Sequence, residues 1–306
     1  MVEGLSKIQF SVIIATKDRP ESLHACLESF RSLQFPEGQW ELIIVNDGGG
    51  TSFNQISHEQ RETLPLHLLH TSEPAGPASA RNLGARAAKG TYLAFTDDDC
   101  RIAGDWLSQY ERLFKTEGWD AAGGLTLNPD RENLASEAWS VLIEFLYHYR
   151  RDNHGNAVML VSNNAAVRRD VFVELGGFDE RFRSASNEDR ELSYRLIAHG
   201  YRQTFCSDAK VWHHLLDRKP FSYLRIQFRY GRGAFHFCRA IREKGLTHAV
   251  TLEPDGHPVY AFALWRTLIG ARKSPALIFL ISLGQVAHRL GRIYETLRVA
   301  VCGTRE

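Results

Sequence analysis

At 306 residues, with 43% hydrophobic and 24% charged side chains, the chain has an ordinary globular composition, enough for one large domain or a catalytic domain with an appendage. Its 37 lysines and arginines balance 36 aspartates and glutamates, which argues against a dedicated nucleic-acid binder. Five scattered cysteines without a CxxC pair fit free thiols in a reducing cytoplasm better than a disulfide or zinc framework.

In chain order, Phe10–Ala15 reads as a buried strand, and Pro20-Glu21 opens a helix with Leu23, Leu27 and Phe30 on one face. Glu41–Val45 is a second strand, ending at Asn46-Asp47-Gly48-Gly49, and Leu66–His70 is a third. Pro77–Lys89 predicts an Ala-rich helix and Tyr92–Thr96 a fourth strand, running into Asp97-Asp98-Asp99. This alternation predicts a mostly parallel sheet covered by helices, with ligands beyond the carboxyl ends of the strands. Thr16-Lys17-Asp18-Arg19, Asp47 and Asp97–Asp99 all fall at such ends. Three adjacent carboxylates repel one another, so a divalent cation or a ligand carrying one would explain them. The plainer alternative is a solvated acidic turn capping the next helix.

After a helix at Trp106–Lys115 the rhythm loosens. Strands are expected at Ala121–Thr126 and Ala157–Val167, the latter containing Ser162-Asn163-Asn164. A short helix at Asp170–Leu175 closes on Gly176-Gly177, and a longer one spans Asn187–His199. Ala209–His214 is the last strand. Beyond it come three helices, over 221–244, 258–272 and 275–301, with a turn at Glu253-Pro254-Asp255-Gly256. The chain is thus expected to divide into a catalytic part, 1–216, and a helical part, 217–306.

Several side chains have two readings. Asp47 is a contact to a base or ribose, or an ordinary Asp-Gly turn. Arg81, near a helix start, recognises phosphate or base, or makes a surface ion pair. Glu188-Asp189 favours a helix N-terminus in any case, yet one of the two could be a general base. Of His213-His214 only one faces a given side of a strand, so one imidazole could join a metal site or serve packing. GxxxxGK[ST], HExxH and GxSxG are missing, and Tyr230-Gly-Arg-Gly-Ala fails to complete GxGxxG because His236 takes the third glycine's place.

In register, FSVIIATKDRP (Phe10–Pro20), ELIIVNDGG (Glu41–Gly49), ASARNLGARAAKGTYLAFTDDDC (Ala78–Cys100) and LGGFDERFRSASNEDRELSYRL (Leu175–Leu196) resemble the family 2 glycosyltransferases. The resemblance covers about the first 215 residues. It implies the GT-A fold, an α/β class with a mixed, mostly parallel sheet flanked by helices. It also implies a UDP-, GDP- or dTDP-linked sugar donor, a Mn²⁺ or Mg²⁺ cofactor, and inverting transfer to a hydroxyl. The acceptor would be a glycan, a lipid-linked sugar or a related molecule in cell-surface polysaccharide or glycoconjugate synthesis. Thr16, Asp18 and Arg19 then match the base-binding edge, Asp47 the base or ribose contact, and Arg81 a nucleotide contact. Asp97 and Asp99 match the outer acids of D-x-D. Asp99 is the expected direct metal ligand and Asp97 supports metal or nucleotide. Asp98, on the nucleotide side, is expected to tolerate change best. Asp189 matches the catalytic base beside Glu188, and His213 a metal-shell histidine, with His214 as the other choice.

A nucleotidyltransferase is the nearest enzymatic alternative, although the loop after the first strand lacks that class's glycines. A non-catalytic nucleotide- or glycan-binding scaffold is the third reading, opposed by the joint presence of Asp97, Asp99 and Asp189. In the tail, Phe221–Lys244 and Pro275–Val301 mix Arg and Lys with large apolar residues. That mixture suits helices on an anionic membrane surface, a packed subdomain, or a homodimer interface. The polar start at Met1–Gln9 does not read as a signal peptide. The apolar stretch Pro275–Ala287 is short of about eighteen uninterrupted residues, so a true span is not expected. A cytoplasmic protein, peripheral on the inner face of the cell membrane, is the resulting expectation.

Overall fold

Seven-residue Phe10–Thr16 (β1) and Trp40–Asn46 (β2) are buried along almost their whole length, as apolar strands covered on both faces must be. The computed structural model describes residues 8–48, 53, 56, 58–150, 159–183, 186–215, 219–246 and 258–302. β1 lies parallel to β2 and to Tyr92–Asp97 (β4), and β2 lies parallel to Leu66–His70 (β3). The connecting helices are Pro20–Phe30 (α1), His58–Thr63 (α2) and Pro77–Ala87 (α3). Proline in the first turn of α1 and α3 sets a helical φ where no intrahelical N–H bond is lost.

Beyond the acidic triplet the chain makes Cys100–Ile102 (β5) and Trp106–Glu117 (α4), which Gly118 closes in the left-handed region at φ 67°. Ala121–Leu127 (β6), Leu134–Tyr149 (α5), Asn164–Arg168 (β7), Arg169–Glu174 (α6), Glu188–Ala198 (α7) and Gln203–His213 (β8) follow. The eight strands order as β3-β2-β1-β4-β7-β6-β8-β5. β7 runs antiparallel to β4 and β6, and β5 antiparallel to β8. Alternate residues of β1 feed two cores. Val12 and Ile14 share one core with Leu23 and Leu27 of α1 and Trp106 of α4, while Ile13 belongs to the other, with residues of α3, α6 and α7.

Three expectations change. The strand expected over Ala157–Val167 begins at Asn164, after a turn through Ser162-Asn163, and its first two residues lie outside the described residues. The last strand starts six residues earlier than Ala209, at Gln203, where parallel pairing to β6 extends it past a register shift at Gly124/Leu125. α5 was not anticipated, although Asn133 caps it by accepting from the backbone N–H groups of Ala135 (3.1 Å) and Ser136 (3.0 Å).

Pro220–Glu243 (α8), Pro258–Gly270 (α9) and Pro275–Cys302 (α10) form the C-terminal helices. They share a core with α5, in which Leu142 and Phe145 meet Tyr260, Leu264, Leu280 and Ile281. The expected turn at 253–256 and the 216/217 boundary lie outside the described residues. α8 and α10 touch backbone to backbone: a Cβ on Gly231 would overlap the His288 carbonyl, and one on Gly291 the Phe228 carbonyl.

The same pair of helices buries Glu295, which accepts from Arg232 Nε at 2.6 Å and Arg298 Nη2 at 2.5 Å, with His236 Nε2 at 3.0 Å. Burial alone would raise this carboxyl, but Arg298, Arg232 and His236 outweigh it and hold it at about 2. Glu295→Gln is therefore expected to cost ~3 kcal/mol at neutral pH, because two guanidinium groups lose their counter-charge. A depressed carboxyl contributes stability that is complete above its ordinary value of 4.5 and is lost as pH falls toward about 2. Thermal midpoints of the two proteins measured across that window should converge; a constant gap would show that charge is not what Glu295 supplies.

Candidate active site

The ends of β1 and β4 meet across their parallel register, Ala15 opposite Asp97, and this juxtaposes the TKDR segment with the acidic triplet. Asp98 turns inward. It accepts from Thr16 Oγ1 at 2.7 Å and pairs with Arg19 Nη1 at 3.1 Å, and only 2% of it is exposed. Burial pushes its carboxyl up to about 6 against the pull of Arg19. The expected tolerance of Asp98 is thus corrected: its side chain ties β1 to β4 and is the least exposed of the three acids. Arg19 also reaches Asp99 at 3.4 Å while staying half exposed.

Asp97 points the other way, to Arg81 Nη2 at 2.7 Å. Arg81 Nη1 in turn donates to Glu188 Oε1 at 3.0 Å, and the Arg81 side chain is 3% exposed. Glu188 Oε2 accepts from the Ser186 backbone N–H at 2.8 Å. Arg81 therefore borders the cleft with both terminal nitrogens engaged, as a buried link between the end of β4 and the start of α7.

Asp47 is fully occupied as well. It accepts from the backbone N–H groups of Ala75 (2.7 Å) and Gly76 (3.0 Å) and from Thr71 Oγ1 (3.2 Å). Gly76 takes φ +93°, and a Cβ there would overlap the Arg183 carbonyl, so the loop before α3 needs glycine. Asp18 sits exposed at φ 52°, a left-handed conformation that aspartate tolerates better than most residues.

Asp99 is where the antiparallel β5–β8 pairing matters. It sets Cys100 opposite His213 and so brings His213 Nε2 to 3.2 Å from Asp99 Oδ1. Burial opposes charge on both groups, yet each partner prevails: Asp99 raises the imidazole and His213 lowers the carboxyl. His213 Nδ1 is buried without a hydrogen bond, so Asp99 and the Trp139 ring, 4.5 Å away between centroids, orient the imidazole. His214 donates its backbone N–H to the Asp99 carbonyl oxygen at 2.8 Å.

Potential ligand atoms of Asp99, Cys100 and His213 lie within 4.8 Å of one another. Burial lifts the Cys100 thiol well above its usual value, so it stays protonated and is a poor ligand for a hard cation. A carboxylate facing an imidazole, both on the cavity wall, fits Mn²⁺ or Mg²⁺ with further oxygen ligands from a bound molecule. Asp97, expected to share the metal, is not in this cluster because Arg81 holds it.

Asp189 follows Glu188 in the first turn of α7 and is only partly covered. Its Oδ2 accepts from the Ser162 N–H at 3.0 Å and its Oδ1 from the Arg190 N–H at 2.7 Å. Burial raises its carboxyl in spite of these bonds. Asn187, immediately before α7, adopts the left-handed conformation at φ 70°. That bend delivers Glu188 and Asp189 to the site.

A cavity of about 650 Å³ joins these groups: Arg19, Arg81, Asp97, Asp99, Glu188, Asp189 and His213 all line it, whereas Thr16, Asp18, Asp47 and Asp98 do not. Much of its remaining wall comes from α5 (Trp139, Leu142), α8 (Arg225, Arg229, Tyr230), α9 (Tyr260) and α10 (Gln285, His288). The sequence marks the helices that carry the α8 and α10 residues but assigns none of them to the site; for α5 the Asn133 cap is the local signal that could have pointed to this wall.

The description of glycosyl transferase family 2 matches residues 11–176. Glycosyltransferase AglE of Haloferax volcanii is 26% identical over 87% of this chain and 82% of its own length. The glucosyl-dolichyl phosphate glucuronosyltransferase of the same organism is 25% identical over 71% of this chain and 73% of its own. The mannosyltransferase PcManGT of Pyrobaculum calidifontis, solved in complex with GDP-Man and Mn²⁺, superposes with a TM-score of 0.64 over 96% of this chain and 88% of that one, at 19% identity. With a mixed, mostly parallel GT-A sheet, three C-terminal helices and a family match across the donor-side strands, the chain belongs to glycosyl transferase family 2 and is a glycosyltransferase.

Proposed function

We propose that this glycosyltransferase moves a sugar from a UDP-, GDP- or dTDP-linked donor to an acceptor hydroxyl with inversion, in glycoconjugate synthesis on a glycan or lipid-linked acceptor. The observation that carries the reading is the placement in one cavity of an acid–imidazole pair, Asp99 and His213, and a separate partly covered carboxylate, Asp189. Relatives of this chain include an enzyme named for a dolichyl phosphate-linked acceptor, which supports the lipid-linked class.

Asp99 and His213 would hold the divalent cation, which supplies Lewis-acid neutralisation of charge developing on the diphosphate. Asp189 would accept the proton of the acceptor hydroxyl as its oxygen bonds to the anomeric carbon. The bond from that carbon to the diphosphate oxygen breaks, and the electron pair leaves with the nucleoside diphosphate. Ser162 and Arg190 backbone N–H groups keep the Asp189 carboxylate aimed during the transfer. Family membership displaces the nucleotidyltransferase alternative, and Asp99, His213 and Asp189 on one cavity wall oppose an inert scaffold.

A thermal-shift screen of nucleotide sugars with and without Mn²⁺ is the direct test. One donor class should raise the wild-type midpoint only with Mn²⁺, and Asp99→Ala should weaken that donor's binding by on the order of 100-fold. Unchanged metal-dependent affinity in Asp99→Ala would refute the metal assignment, and a product that retains the donor's anomeric configuration would refute inversion.

A further inference from the structure

We propose that the outer side of α9 and α10 docks this enzyme on an anionic lipid surface. On α10, Phe279, Leu283, Val286, Leu290, Ile293 and Leu297 are exposed, Phe279 by 65% and Leu297 by 60%. Their spacing of three and four places them in one stripe, about 27 Å long. Phe262, Trp265 and Ile269 leave a matching bare side on α9. The inner sides are committed: Leu264 and Leu268 of α9 and Leu277, Leu280 and Ile281 of α10 lie in the core with α5, and Gly284 and Gly291 abut α8. Apolar residues in this number on one helical side exceed the scattered exposure normal for a soluble surface.

Charge selects the occupant. α9 and α10 with their connecting turn are rich in cations: Lys273 pairs with Glu137 and Arg298 with Glu295, the one acid of these helices, which is buried, and Arg266, Arg272, Arg289 and Arg292 add to them. A second copy of the same face would bring like charges together, whereas anionic headgroups complement them. By length and composition α10 could also cross a bilayer. A span would carry the Glu295–Arg232–His236 cluster and the α8 contact into hydrocarbon, so α10 lies along the surface instead. Tyr260 of α9 and Gln285 and His288 of α10 line the cleft, so the docking helices also build its wall. The inference goes beyond the transfer chemistry and does not depend on Asp189 or on which donor binds.

The test is flotation of the full chain with phosphatidylcholine vesicles, with and without phosphatidylglycerol. Binding should require phosphatidylglycerol and weaken with added salt, by roughly tenfold or more in Arg266→Gln/Arg272→Gln. Trp265→Glu/Phe279→Glu/Leu290→Glu should abolish it while leaving the thermal midpoint and metal-dependent donor binding unchanged. Failure of the wild type to float, equal binding to both vesicles, or flotation that survives the triple substitution overturns the proposal. So does a solution dimer of the wild type that the triple variant loses, which would assign the face to a second copy. Loss of metal-dependent donor binding in a wild type that still floats would sink the transfer reading alone.

Discussion

Asp189→Asn is expected to lower kcat for sugar transfer by on the order of 10³-fold while leaving donor affinity within about twofold, the range expected when a general base is removed and its site is otherwise intact. Asparagine is close in shape to aspartate, and its amide oxygen can still accept from the Ser162 or the Arg190 N–H, so α7 and the turn before β7 keep their places. What it lacks is a carboxylate able to take the acceptor's proton. The pH profile separates this role from a packing role. Burial holds the Asp189 carboxyl above its ordinary value, so transfer by the wild type should decline as pH falls through a limb displaced upward from that of an ordinary aspartate. Below that limb Asp189 is protonated and cannot act as base; above it the carboxylate is charged and competent. In Asp189→Asn the residual rate should lose that limb. Near-wild-type turnover in the variant, or an unchanged acid limb, would assign the base elsewhere.

Arg81→Met should destabilise the fold by ~3–5 kcal/mol, the penalty for leaving buried charges unpaired. The guanidinium is 3% exposed and spans Asp97 and Glu188, whose side chains come from β4 and α7. Burial works against its charge, but Asp97 and Glu188 prevail and raise its already high pKa. Glu188 lies above its ordinary value, chiefly through burial and secondarily through the neighbouring charge of Asp189. Without Arg81 it would protonate further and release the start of α7. Chemical denaturation should show the loss, and adding Glu188→Gln should recover part of it because one stranded carboxylate is then removed. A change within about 1 kcal/mol, with no recovery in the double variant, would mean that solvent screens the pair. Arg81 is in this view a positioning residue: it sets Asp97 and α7 without needing to touch the donor.

Much of the donor-side architecture is legible in local patterns. Phe10–Thr16, Trp40–Asn46 and Tyr92–Asp97 are apolar runs of strand length, and Pro20 and Pro77 mark helix starts, so the parallel half of the sheet follows from residue order. The antiparallel half is less legible. β5 is three residues long, Cys100–Ile102, and pairs only because β8 lies beside it. α5 hides in a segment whose apolar residues serve the C-terminal helices, not the sheet. In such places the partner, supplied by distant chain, decides the element.

The site divides in the same way. Residue types and their order placed Asp97–Asp99, Arg81, Glu188-Asp189 and His213 at strand ends and a helix start, where ligands gather, and the motifs in register identified the family. Sequence alone also marked α8 and α10 as mixed in Arg and apolar residues. The tertiary structure decided which groups face the cleft: Asp99 meets His213 there, Asp98 and Asp47 turn inward to hold loops, and Arg81 is consumed by two acids. It also decided which side of α10 is buried against α5, α8 and α9 and which is bare. Backbone patterning is a short-range property, set by each residue and its near neighbours. A carboxylate's direction, partner and degree of ionisation depend on groups about a hundred residues away in the chain, brought close only by the fold.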